Sequence, residues 1–140
     1  MSVKVIDMAL IQEPWDREGR ITGLNIPGYI LFFASGTDRP RACVLTRNAT
    51  ACLLPGFSCR YLVAVLVKFN EDRAERRLVV CSTYLSYDSE DPPPSKELQK
   101  VVGYCENEKP YLVVGCDSNA HIAYGAALTA TVERKSWWNF

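Results

Sequence analysis

Asp117 and Asn119 stand two residues apart at the end of an apolar run, Tyr111-Leu112-Val113-Val114-Gly115-Cys116, and the only histidine, His121, follows them. Side chains alternate along a strand, so an acid and an amide at this spacing point the same way and can share one ligand. Asp-Ser-Asn is also the wording of a turn that hydrogen-bonds its own backbone, so its context has to decide. A second carboxylate, Glu13, follows the run Met8 to Ile11 and precedes Pro14. Proline cannot continue a central ladder and biases the residue before it toward extended backbone, which places Glu13 where the strand leaves its sheet. A carboxylate at such an end, facing a crevice, is a natural ligand for a hard cation; in a plain loop it is only a solvated charge. A third apolar run, from Leu78, ends at Tyr84-Leu85-Ser86-Tyr87-Asp88. Ligands gather where rigid strands end and side chains face an open crevice.

The elements that must hold these residues can be read from periodicity. Tyr29 to Ala34 and Arg41 to Thr46 flank the turn Ser-Gly-Thr-Asp-Arg-Pro and predict a hairpin. Arg39, Arg41 and Arg47 surround that hairpin; they are candidate phosphate contacts, or simply a solvated turn. Tyr61 to Phe69 is almost continuously apolar and β-branched, the pattern of a central strand, and residues 70 to 77 read as a charged connection to its partner, Leu78 to Tyr84. Residues 16 to 28 read as loop. After Asp91 and three prolines a helix is expected, capped by Asp91 or Ser95, with Leu98, Val101, Val102 and Cys105 on one buried face. Hairpins alternating with a helix before a buried strand imply mixed α/β layers.

The 140 residues make one domain at most, and 48% hydrophobic against 23% charged residues argues against disorder. Sixteen basic and sixteen acidic residues cancel, so nucleic-acid contact has to come from local patches. Lys4 and Asp7 interrupt the amino-terminal run, which therefore reads as neither leader nor membrane span, and the chain is expected to be intracellular, nuclear or cytoplasmic. Six cysteines without a Cys-x-x-Cys pair give no zinc-site spacing; Cys43, Cys81 and Cys116 lie in apolar runs as small core residues.

Taken in order, Ala-Leu-Ile-Gln-Glu-Pro-Trp (9–15), Gly-Arg-Ile-Thr-Gly-Leu (19–24), Arg-Pro-Arg-Ala-Cys (39–43), Asp-Pro-Pro-Pro-Ser (91–95) and Gly-Cys-Asp-Ser-Asn-Ala-His (115–121) resemble the endonuclease/exonuclease/phosphatase superfamily. Within it they resemble the amino-terminal endonuclease domain of insect non-LTR retrotransposon polyproteins. The resemblance spans roughly residues 5 to 125 and implies a DNase I-like two-sheet α/β sandwich that nicks DNA as a magnesium- or manganese-dependent phosphodiesterase. It implies that Glu13 binds the metal, Tyr84 contacts the scissile phosphate, Asp117 aligns or deprotonates the attacking water, and Asn119 donates to the phosphate as charge develops. Arg39, Arg41 and His121 are further candidate phosphate contacts, DNA is the implied partner, and neither membrane nor zinc is expected.

The chain also departs from the family pattern. Ser86 replaces a usual proline; the family's first-strand Asn and its closing Asp and Ser-Asp-His have no counterpart, and His121 cannot replace that last histidine because it belongs to the Asn-Ala-His motif. The expectation is an incomplete sandwich over 1–125, impaired or inactive alone. The competing readings are a non-catalytic mobile-element remnant or weak binding module and, on the same scaffold, a small-molecule phosphoesterase. Residues 126–140 diverge. Read one base out of frame, Ala126 to Phe140 can encode the family's Ser-Thr-Asp-x-Asn-x-Arg style, with Val-Glu forced by Trp137-Trp138-Asn139. A frameshifted tail is therefore expected; sequencing the coding DNA checks it, and a shifted frame lacking that wording refutes it.

Overall fold

The computed structural model describes residues 6–47, 50–86, 90, 94–118 and 130–131. Among these residues two sheets face each other, with an α-helix outside the larger. The smaller sheet is formed by β1 (Met8–Gln12), β4 (Tyr29–Phe32) and β5 (Ala42–Arg47) in the order β1-β5-β4, all antiparallel. The larger comprises β6 (Thr50–Leu53), β7 (Leu62–Glu71), β8 (Ala74–Leu85), β9 (Tyr111–Ser118) and β10 (Ala130–Thr131), in the order β10-β9-β8-β7-β6. Only β8 and β9 are parallel, and the helix α1 (Lys96–Glu108) forms the crossover between them. Asp16–Arg17 (β2) and Arg20–Ile21 (β3) form a small ribbon of their own.

The nearly unbroken apolar text of β7 follows from its being covered on both faces. Leu62 and Ala64 turn outward to the helix side, where they pack with Val79, Cys81, Leu98, Val101 and Cys105. Val63, Val65 and Val67 turn inward and join Val80, Ala42 and Val44 between the sheets. The period-two alternation thus divides one strand between two cores. Burial pushes the Cys43 and Cys81 thiols up to about 12, so both stay protonated and behave as small hydrophobes. Cys116 is only half-buried.

Helix α1 is the helix its periodicity predicts. Ser95 Oγ accepts from the Leu98 N–H at 3.3 Å, and Leu98, Val101 and Cys105 are buried, whereas Val102 stays partly exposed. The alternative cap, Asp91, lies outside the described residues. Lys109 closes the helix in the left-handed conformation, its N–H bonding to the Cys105 carbonyl.

Two expectations are corrected. The charged residues 70 to 77 are not a loose connection: β7 and β8 pair from Leu62↔Thr83 to Glu71↔Ala74, leaving Asp72 and Arg73 as the turn. Both have positive φ, 50° and 65°, the two-residue geometry whose twist matches antiparallel strands. The charges sit on the exposed ladder as cross-strand pairs, Lys68 with Glu75 at 3.3 Å and Arg76 with Glu71 at 3.5 Å. Likewise, residues 16 to 28 contain the β2–β3 ribbon, turned by Glu18 and Gly19 at φ 55° and 76°. Strand β6 lies in a stretch for which no element was predicted.

β1 passes close over β9 at Gly115. A Cβ added to Gly115 would lie 2.7 Å from Leu10 Cδ1 and 2.9 Å from Leu10 Cβ, so this position admits no side chain unless β1 moves. Gly115→Ala is expected to destabilise the chain by about 1–3 kcal/mol in urea unfolding. With Leu10→Ala added, the joint cost should be smaller than the sum of the two single costs. Strict additivity would show that Leu10 and Gly115 do not press on each other.

Candidate functional site

The described parts of the three predicted strand ends converge at one end of the sandwich. Gln12, the last residue of β1, crosses to the larger sheet: its Nε2 donates to Ser82 Oγ at 3.0 Å and to the Gly115 carbonyl at 3.2 Å, and Ser82 Oγ donates to the Ile11 carbonyl at 3.0 Å. Ser82 and Gly115 are themselves ladder partners on β8 and β9. Two residues further along those strands, Tyr84 and Asp117 are partners, and one residue beyond Gln12 stands Glu13. Because Gly115 faces β1, alternation along β9 puts Asp117 on the same inner side, in one row with Tyr84.

Glu13 is not extended, as its place before proline predicted; its φ is +50°. The physical reason lies in its partner, Arg41, next in register after the Gln12↔Ala42 pair. The Glu13 N–H donates to the Arg41 carbonyl at 2.9 Å, while Arg41 Nη1 donates to Glu13 Oε1 at 2.8 Å. Backbone and side chain are thus held by one residue, which stabilises a conformation costly for a non-glycine residue. The Glu13 side chain remains 46% exposed, open to a ligand from solvent.

Tyr84 joins this pair to the larger sheet. The Arg41 guanidinium lies over its ring, 5.7 Å from the centroid, and the Tyr61 ring stacks beside it at 6.4 Å. Desolvation raises the Tyr84 pKa above its ordinary value of 10; the Glu13 charge and a hydrogen bond to Glu13 add to the rise, as does Asp117, while Arg41 opposes it. The phenol is therefore neutral at physiological pH and a hydrogen-bond donor. Asp117 also raises the Cys116 thiol, after burial, so its field reaches both neighbours.

Of the other predicted residues, Arg39 is exposed at φ 51° before β5 and makes no ion pair among the described residues. The expected arginine cluster is divided: Arg47 lies over the Tyr29 ring at 5.8 Å, at the opposite end of β5 from Arg41. Asn119 and His121 lie outside the described residues. The sequence reading missed Arg60 and Tyr61, which precede β7 at this same end, and Gln12 as a tie between sheets. The available signals were a tyrosine opening the apolar run and a polar amide closing β1.

Among the described residues, no three His, Cys, Asp or Glu side chains stand close enough to hold a metal ion together. The donors present, Glu13 and Asp117, are carboxylates, the oxygen type that magnesium accepts in ones and twos with water and phosphate completing its shell. Among the described residues no helix is long and apolar enough to cross a membrane.

The Glu13–Tyr84 coupling has a measurable consequence. Glu13→Gln removes a negative charge that favours the neutral phenol, so the Tyr84 pKa should fall toward, without fully reaching, its ordinary value. Titrating phenolate absorbance, with Tyr84→Phe identifying the group, reads this shift. An unchanged curve would mean that the two side chains do not interact.

No family model matches the sequence, and no curated protein matches it. Among solved structures the chain is similar to the "Endonuclease domain of TRAS1, a telomere-specific non-LTR retrotransposon", at 20% identity and a TM-score of 0.55. The likeness covers 84% of this chain and 48% of that one, so the chain spans about half of that domain's length. Two facing sheets, an outer helix and this likeness together establish the fold as the DNase I-like α/β sandwich of the retrotransposon endonuclease domain.

Proposed function

We propose that this chain carries the phosphodiester-cleaving site of a DNA endonuclease of the non-LTR retrotransposon kind, working with magnesium or manganese. The observation that supports it is the meeting of Glu13, Tyr84 and Asp117, from three separate strand ends, at one open end of the sandwich. Each brings a different chemistry. Glu13 would hold the metal through hard carboxylate oxygen, and the metal would supply Lewis-acid stabilisation of phosphate charge there.

Asp117, seated beside Tyr84 at the end of β9, orients a water for in-line attack on phosphorus and accepts its proton. The bond from phosphorus to the opposite sugar oxygen breaks, and that leaving oxygen takes a proton from solvent. Tyr84, kept neutral, turns its one phenol proton from Glu13 to a non-bridging phosphate oxygen when DNA is bound. Asn119 adds an amide donor to the same phosphate. Arg41 balances the Glu13 charge and holds that carboxylate at the mouth of the site. This division of roles needs a rigid frame, since small misplacements are costly in such reactions.

The test is nicking of supercoiled plasmid by the purified chain in magnesium. Slow conversion to open circles is expected, as from an impaired site that retains Glu13, Tyr84 and Asp117, with Asp117→Ala slower still by roughly two to four orders of magnitude. A folded, monomeric wild-type chain that leaves the plasmid supercoiled would overturn the enzymatic reading and leave a remnant with the fold alone.

A further inference from the structure

Arg60 and Tyr61 are unused by the chemistry above, yet both are tied to it. The Arg60 carbonyl accepts from the Arg41 N–H at 2.7 Å, and the Tyr61 carbonyl accepts from the Tyr84 N–H at 2.8 Å. This dipeptide is thus fastened by its backbone to the partner of Glu13 and to the central tyrosine. The Arg60 guanidinium lies over the Tyr61 ring at 5.2 Å, and that ring stacks on Tyr84. A ladder of Arg60, Tyr61, Tyr84 and Arg41 therefore runs across the end of the sandwich.

The two cations in it differ. Arg41 has its carboxylate in Glu13, whereas among the described residues no carboxylate pairs with Arg60; the Nε of each is buried without a hydrogen-bond partner. A half-buried guanidinium lacking an anion is poorly compensated, and stacking on an aromatic ring holds its planar donors in place for a tetrahedral oxyanion. Tyr61 is 39% exposed, so this part of the ladder is open to solvent.

We infer that Arg60, braced by Tyr61, is a second phosphate subsite: it takes a backbone phosphate of DNA flanking the one presented to Glu13, Tyr84 and Asp117. The inference rests on the endonuclease reading for its ligand and on the Arg60–Tyr61 geometry for its place.

Binding of a fluorescein-labelled DNA duplex, followed by anisotropy in EDTA over a salt series, separates the two. Arg60→Gln keeps a planar, polar side chain and removes the charge. It is expected to weaken binding roughly tenfold. The slope of log affinity against log salt should shrink by about 0.9, one phosphate's worth of released counterions. Arg60→Lys should keep the slope and lose part of the affinity. Arg73→Ala, at the hairpin tip of the opposite end, should leave both unchanged.

An Arg60→Gln chain with the wild-type slope, or a wild-type chain that does not bind duplex DNA, overturns the subsite. Plasmid nicking is scored on the same preparations. Nicking with an unaltered Arg60→Gln slope removes the subsite and keeps the enzyme; Arg60-dependent binding without nicking does the reverse. A purely structural role for Arg60 would alter melting without altering the salt slope.

Discussion

The structure depends on how closely β1 approaches the larger sheet. Gly115 offers no side chain, Leu10 fills the space above it, and Gln12 completes the contact through Ser82 and the Gly115 carbonyl. Polar groups between two apolar sheets are tolerated only when satisfied; here the Ser82 hydroxyl both receives from Gln12 and donates to Ile11. An apolar contact and a closed hydrogen-bond set thus fix the same crossing. This specifies one relative position of the sheets, which sliding apolar surfaces alone would leave loose.

From that crossing the charged end follows by counting along strands. One residue past Gln12 comes Glu13; two past Ser82 and Gly115 come Tyr84 and Asp117. These two carboxylates and the phenol between them therefore stand just beyond the satisfied polar tie, where water can reach them. The site's strain is local as well: the positive φ of Glu13 is supported by two hydrogen bonds to Arg41, one to its backbone and one from its side chain. Arg41 in turn lies over Tyr84, so a constraint on the smaller sheet is passed to the larger.

The rest of the molecule obeys simpler rules. The helix covers the outer face of β7, β8 and β9 because Leu98, Val101 and Cys105 share one stripe, and the inner face is closed by the smaller sheet. Away from the site the β7–β8 hairpin runs out into solvent and carries its charges as exposed cross-strand pairs, which contribute little to stability but keep a long ribbon soluble and in register.

The amino-acid sequence by itself determined the local elements and the polar residues that close their apolar runs. Alternation and helical spacing announced β1, β5, β7, β8, β9 and α1, and Glu13, Tyr84 and Asp117 were legible as polar residues closing apolar runs. It could not show that the charged stretch 70 to 77 is a paired ribbon, because charges on an exposed ladder look like charges in a loop. Nor could it show Gln12 binding across the sandwich, Gly115 as a point of close approach, or Arg41 as the partner of Glu13 rather than a member of a turn cluster. Those facts depend on pairs separated by tens of residues, and local periodicity carries no information about which strand lies opposite another. Tertiary structure decided them by bringing strand ends into one register, and with them Arg60 and Tyr61, whose spacing from Asp117 in the chain gives no hint that they share its end of the fold.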